Sequence, residues 1–267
     1  VSQPVGRALS WGRGTLTRVG LPGISAATAL GAVGRGSHHL RHLIQLRYPT
    51  VAVTGMTGAG KTVLIDRLCR RNSASGPVES GSAVMEYRIR RGGNLRGFRF
   101  RVVPGENAAT RLGALDEVFH DNAVEGVLHV VANGYATGRR VAGTSGRTAA
   151  SREQQLAREL EDWTITAHRI AAMAVRRPYP TWLIVVVTKV DLFADSVDDV
   201  IRSYSPGGGT PFADRLDELR SLAGAAKLAV DVLPACGLAQ GDTVTTKQRD
   251  AYLAALESRM AQFAGHV

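Results

Sequence analysis

Between Thr50 and Thr62 the chain reads Thr-Val-Ala-Val-Thr-Gly-Met-Thr-Gly-Ala-Gly-Lys-Thr, an apolar run that enters a glycine-rich turn spaced G-x-x-x-x-G-K-T. Gly55 and Gly60 lack Cβ atoms, so the backbone can turn tightly and aim successive N–H groups at one point, the arrangement that cradles phosphate. The amides around Gly58, Ala59, Gly60 and Val63 are expected to line that cradle. Lys61 would reach the β and γ oxygens of a nucleotide, and the Thr62 hydroxyl would take one Mg2+ position. The helix that follows, Val63 to Cys69, points its positive end at the same phosphates.

The elements that hold this loop follow from periodicity. With 267 residues and 44% hydrophobic content the chain can bury one full core, so it is read as a G-x-x-x-x-G-K-T domain over 49–267 behind a basic, flexible arm over 1–48. The arm has no acidic residue. Its short apolar run, Val19 to Val33, is broken by Gly20, Pro22, Gly23 and Gly31 and is too short to span a bilayer. A short helix is expected near Ser37 to Arg47. The formal charge of +10, carried largely by arginine, favours an anionic partner: nucleotide, acidic lipid or nucleic acid. Cys69 and Cys236 have no metal-ligand spacing, which makes a reduced, cytoplasmic compartment the default, with a peripheral membrane contact of the arm as the alternative.

Two alternating runs, Val84 to Arg90 and Phe98 to Val103, flank Gly92-Gly93-Asn94 and read as an antiparallel hairpin. Tyr87, Ile89, Phe98, Phe100 and Val102 are expected to face inward, with Arg88, Arg90, Arg99 and Arg101 on the outer face. Helical spacing appears over Ala109 to Asn122 and Ser151 to Arg176, placing Trp163, Ile170 and Met173 in the core, and over about Thr246 to Phe263. Ser205 to Pro211 breaks two shorter helices. His129 and His168 lack a paired carboxylate or cysteine and are assigned structural roles. The glycine- and arginine-rich stretch near 134–150 is long for a connection within a compact domain.

Past the hairpin the chain resembles a known family. Val102-Val103-Pro104-Gly105-Glu106 is similar to the strand-end box of Ras-like and translation-factor-like GTPases, which carry Asp-x-x-Gly there. The apolar run Leu183 to Val187 ends in Thr188-Lys189-Val190-Asp191, which resembles that family's (Asn or Thr)-Lys-x-Asp box. Such a carboxylate suits guanine, since Asp191 can accept from both N1–H and the 2-amino group, and Lys189 would lay its stem against the purine. Lys227 to Leu233 is a further strand. It ends in Pro234-Ala235-Cys236-Gly237, where the resemblance implies a loop whose Ala235 N–H donates to the guanine 6-oxo group, with Cys236 beside it.

The likeness covers roughly Pro49 to Phe263, and its departures bear on catalysis. Val102 stands where the family has the Asp that supports Mg2+ through water. No threonine lies between Thr62 and Thr110, so Ser80 or Ser82 would have to replace the family's first-switch threonine. Glu106 takes the place of a water-orienting Gln, and with Lys61 it is the candidate catalytic residue. Arg139 and Arg140 are read first as solvated loop charge, with an arginine finger within the chain or a contact to an anionic partner as the alternatives.

The expectation is an α/β fold, a three-layer sandwich with a mostly parallel sheet and one antiparallel edge strand. Its function would be that of a GTP/GDP- and Mg2+-dependent switch with slow or partner-stimulated hydrolysis, its loops near Ser73 to Ser82 and Gly105 to Thr110 changing order with the nucleotide and engaging a protein effector. The rival readings are a degenerate G domain that binds without cleaving, a P-loop ATPase or kinase, and a nucleic-acid-binding module.

Overall fold

A computed structural model describes residues 48–70, 85–91, 97–105, 108–121, 124–136, 150–237 and 243–266. The expected basic arm, the helix near Ser37 to Arg47, Ser80, Ser82, Glu106, Arg139 and Arg140 lie outside the described residues.

Six strands form one sheet: β1 (Thr50–Thr54), β2 (Glu86–Arg90), β3 (Phe98–Val102), β4 (Gly126–Val131), β5 (Thr181–Val187) and β6 (Leu228–Pro234). Their spatial order is β2-β3-β1-β4-β5-β6, with β2 antiparallel to β3 and all other neighbours parallel. Six α-helices accompany them among the described residues: α1 (Lys61–Leu68), α2 (Ala108–Asp116), α3 (Arg152–Arg176), α4 (Val197–Tyr204), α5 (Pro211–Ala223) and α6 (Thr246–Phe263). The expected Ala109 to Asn122 helix is α2, continued by a π-helical turn over Glu117–Asp121.

Alternation along the central strands builds a core on each face. Val51 and Val53 pack with Leu128, Val130, Ile184 and Val186 against α1 and α6. Ala52, Val127, Leu183 and Val185 pack against α2, α3 and α5, around the fully buried Trp163. Parallel strands covered on both sides explain why β4 and β5 read as continuous apolar runs rather than alternating ones. Helix starts follow local chemistry: the Gln154 N–H donates to Ser151 Oγ at 3.2 Å, and Gln154 Oε1 accepts from Ser151 N–H at 3.1 Å, a reciprocal cap that begins α3. Thr245 and Gln248 repeat this at α6. No helix among the described residues is long and apolar enough to cross a membrane.

The hairpin differs from expectation. Register pairs Arg88 with Phe100 and Arg90 with Phe98, so these arginines lie on the α1 and α6 face, while Tyr87 and Ile89 point the other way with Arg101 and Arg99. Tyr87 and Ile89 are accordingly 53% and 49% exposed. The inward arginines reach carboxylates at the rim: Arg88 meets Glu86 at 2.8 Å and Asp66 of α1 at 3.6 Å, and Arg90 meets Glu257 of α6 at 2.7 Å. An edge strand has one neighbour, so long charged side chains can leave the sheet sideways, and alternation alone does not say which face is inner.

Candidate nucleotide site

At the carboxyl end of β1 the chain reverses into α1 through Gly55, Gly58 and Gly60, whose φ angles are 127°, 79° and 95°. A Cβ at Gly55 would lie 2.2 Å from the Val130 carbonyl oxygen, so this corner excludes any side chain as well as requiring positive φ. Lys61 Nζ donates to the carbonyls of Gly55 at 2.6 Å and Met56 at 3.0 Å, which folds the ammonium back into the hollow of the loop. Gly60 occupies the N-cap of α1 and brings no side chain to it, and the first turn holds no acidic residue. The helix end therefore offers positive potential to an external anion. Thr57 Oγ1 is buried without a hydrogen-bond partner, the condition of a polar group whose partner is a ligand. The residues present fit a polyphosphate.

Gly105, just past β3, closes one side of the loop. A Cβ there would stand 2.7 Å from Thr57 Oγ1, 2.8 Å from Thr57 N and 3.0 Å from Lys61 Nζ. Val102, in the position where the family has a carboxylate, is buried in the α1-side core. Thr62 is exposed at the start of α1. No cluster of three or more His, Cys, Asp or Glu fit to hold a metal occurs among the described residues.

The second half of the site hangs from β5. Thr188 N–H donates to Val131 O at 2.9 Å, and Thr188 Oγ1 lies 2.6 Å from Ala59 O and 2.9 Å from Val131 O. The hydroxyl has one proton, and the shorter contact assigns it to Ala59 O. Lys189 takes a left-handed conformation, φ 58°, and its Nζ donates to Tyr135 O at 2.7 Å. Burial lowers the Lys189 pKa, opposed by the charges of Asp191 and Glu159. Asp191 is buried; its backbone carbonyl accepts from Thr243 Oγ1 at 2.8 Å, and its Oδ1 accepts from Cys236 Sγ at 3.4 Å. Burial and the neighbouring Asp191 carboxylate push the Cys236 thiol up to about 11, so it serves as a donor.

The third segment is adjacent. A Cβ at Gly237 would meet Val63 Cγ1 at 2.6 Å, which sets the end of β6 against the first turn of α1. One expectation is corrected here: the Ala235 N–H donates to Val187 O at 2.8 Å, extending the β5–β6 ladder, and so does not serve a base oxygen. The loop's side-chain contact to the site is made by Cys236 instead. Gly55, Gly58, Ala59, Gly60, Lys61, Thr62, Val63, Thr188, Lys189, Asp191, Ala235 and Cys236 thus converge at the carboxyl ends of β1, β5 and β6, where ligands bind in open α/β sheets.

Three buried polar residues were not anticipated. Glu159 and Asp162 of α3 and Tyr204 of α4 lie in the core below the loops. Arg111 of α2 pairs with Asp162, whose carboxylate also lies 4.0 Å from His129 Nε2. His129 shares a 3.0 Å hydrogen bond with Thr54 Oγ1 and is held neutral, its pKa lowered to about 3 by burial and by the Arg111 and Lys61 charges. The available signal was acidic residues one turn apart inside the apolar stripe that carries Trp163.

This architecture, with its phosphate loop, strand-end glycine and Thr-Lys-x-Asp turn, is the P-loop GTPase G-domain fold. The mammalian SRP receptor structure matches over 80% of this chain and 99% of its own, at 17% identity and a TM-score of 0.52. Looser matches are a dimerization-deficient variant of Toc33 from Arabidopsis thaliana (14% identity, 90% of this chain, 92% of that one, TM-score 0.45) and a variant of SsGBP (13%, 91%, 65%, 0.41). No protein-family model and no curated protein sequence matches the chain.

Proposed function

We propose that the chain binds guanine nucleotides, GDP and GTP with Mg2+, and works as a nucleotide-dependent switch whose hydrolysis is slow or partner-stimulated. The observation that supports this reading is the 2.6 Å link from Thr188 to Ala59, which ties the turn carrying Asp191 to the glycine-rich loop. Lys61 and the loop amides would neutralise the β- and γ-phosphates, and Asp191 would accept the two hydrogens of the guanine edge. Mg2+ would supply neutralisation of the phosphate charge at this site. The Thr62 hydroxyl would hold it. Val102, being apolar, cannot hold a water for the metal, which is the reason for expecting slow turnover.

Calorimetric titration with GTP, GDP and ATP, with and without Mg2+, tests the reading, with Lys61→Ala as control. Guanine preference of at least about tenfold supports it, since a lost paired hydrogen bond costs that much. Equal affinity for ATP and GTP would return the site to the ATPase or kinase class. Single-turnover cleavage separates a switch that hydrolyses from a domain that only binds. The effector is expected to be a protein, with the basic arm at an acidic membrane surface and the domain in the cytoplasm. Strongly salt-dependent retention on nucleic acid would favour the remaining rival.

A further inference from the structure

The turn after β4 is built on a side chain from another element. Asn133 and Gly134 both have positive φ, 52° and 75°, and this turns neighbouring backbone amides toward one point, a concavity of the kind that binds anions. Here the anion is internal. Glu159 Oε2 accepts from Ala132 N–H at 3.1 Å and Gly134 N–H at 3.0 Å, and Oε1 accepts from Tyr204 Oη at 2.9 Å. Glu159 is 2% exposed and Tyr204, which ends α4, is buried edge-on against Phe212. Burial favours the protonated acid, and the amide and phenol donors oppose it.

The turn so held is the one that receives Lys189, through Tyr135 O at 2.7 Å. Arg152 adds a second hold, from Nε to Asn133 O at 3.2 Å, with its guanidinium 5.1 Å from the centre of the Tyr135 ring. That ring stacks on Phe193, two residues past Asp191. A path of hydrogen bonds therefore runs from Tyr204 through Glu159, the turn and the Tyr135 carbonyl to Lys189. None of these contacts touches the phosphate loop.

We propose that Glu159, seated by Tyr204, is a positioning residue for the purine half of the site: it fixes the turn over 132–135 so that Tyr135 keeps Lys189 beside Asp191. Its contribution is to base recognition and not to phosphate binding. The inference rests on the guanine-nucleotide reading above.

The test compares dissociation constants for GDP and for inorganic pyrophosphate in the full chain and three variants. Glu159→Ala should weaken GDP about tenfold, the value of one charge-assisted hydrogen bond, and Tyr204→Phe about threefold, with pyrophosphate held within about twofold in both. Glu159→Gln should stay near wild type, because its amide oxygen can accept from the turn and its amide nitrogen can donate to Tyr204 Oη. General loosening of the domain would move GDP and pyrophosphate together, and that parallel shift, or unchanged GDP affinity in Glu159→Ala and Tyr204→Phe, overturns the proposal. If Glu159→Ala does not fold, Tyr204→Phe decides alone by the same two criteria. Wild-type protein that takes pyrophosphate but shows no preference for GDP over ADP defeats the guanine reading itself, and does so before any variant is compared.

Discussion

The hydroxyl of Thr188 donates to the carbonyl of Ala59 at 2.6 Å, joining the residue that follows β5 to the turn between β1 and α1. Two segments 129 residues apart in sequence thereby share one hydrogen bond, and the span between the Thr-Lys-x-Asp turn and the glycine-rich loop depends on it. Neither segment fixes that span alone, since the loop is anchored by β1 and the Thr-Lys-x-Asp turn by β5, with β4 between them.

Thr188→Val keeps the shape and removes the donor. The buried Ala59 carbonyl then loses its partner, at a cost of about 1–3 kcal/mol in stability. GDP affinity should fall about tenfold, because the two half-sites are no longer held in register. Urea denaturation and calorimetry read the two effects, and Thr188→Ser should restore both.

Gly105→Ala acts at the mouth of the loop. The added methyl would stand 2.7 Å from Thr57 Oγ1, 2.8 Å from Thr57 N and 3.0 Å from Lys61 Nζ, so the loop backbone itself must shift. Because these atoms lie at the phosphate hollow, nucleotide and pyrophosphate affinity should both drop by about tenfold, with a stability cost of about 1–3 kcal/mol from the backbone shift. Gly55→Ala should differ in kind. Its φ of 127° and a 2.2 Å clash with Val130 O strike the core, with an expected loss of about 2–5 kcal/mol.

Asp191→Asn exchanges one acceptor for a donor at the guanine edge. GDP affinity should fall by about a hundredfold, and a base carrying a 2-oxo group, as in xanthosine diphosphate, should gain. An unchanged preference for GDP would remove Asp191 from base recognition.

His129 gives the stability curve a defined acid limb. Its folded pKa, about 3, lies below the unfolded value of 6.5 because burial and then the Arg111 and Lys61 charges disfavour the cation. Between these values the unfolded chain binds a proton that the native protein does not, so this contribution is complete above about pH 6.5 and erodes as pH falls toward 3. The slope is at most about 1.4 kcal/mol per pH unit. Denaturation of wild type and His129→Gln at pH 7 and pH 5 isolates it: the difference between them should narrow, or reverse, in acid.

What could be read from the chain beforehand was whatever local backbone chemistry dictates. The glycines of the phosphate loop, the break from Ser205 to Pro211 and the helical spacing over Thr246 to Phe263 each act within a few residues, and their elements appear where their sequences place them. Pairings between distant elements were not readable. The sides of Tyr87 and Ile89 depend on register with β3, a choice of one residue that alternation leaves open. The destination of the Ala235 amide depends on how far β6 continues along β5. Glu159 and Tyr204 belong to different helices, and only packing shows that the carboxylate has three donors waiting.

The arginines of β2 reach across to Asp66 and Glu257 at the margin of the α1 and α6 layer, and their side chains keep 22–25% of their surface in water. Attractions of that kind fade in strong brine, whereas the oily seams under β4 and β5 tighten. At molar sodium chloride the sheet should therefore come apart from one selvedge: amide protons of Glu86 to Arg90 should exchange with deuterium early, long before those of the central strands.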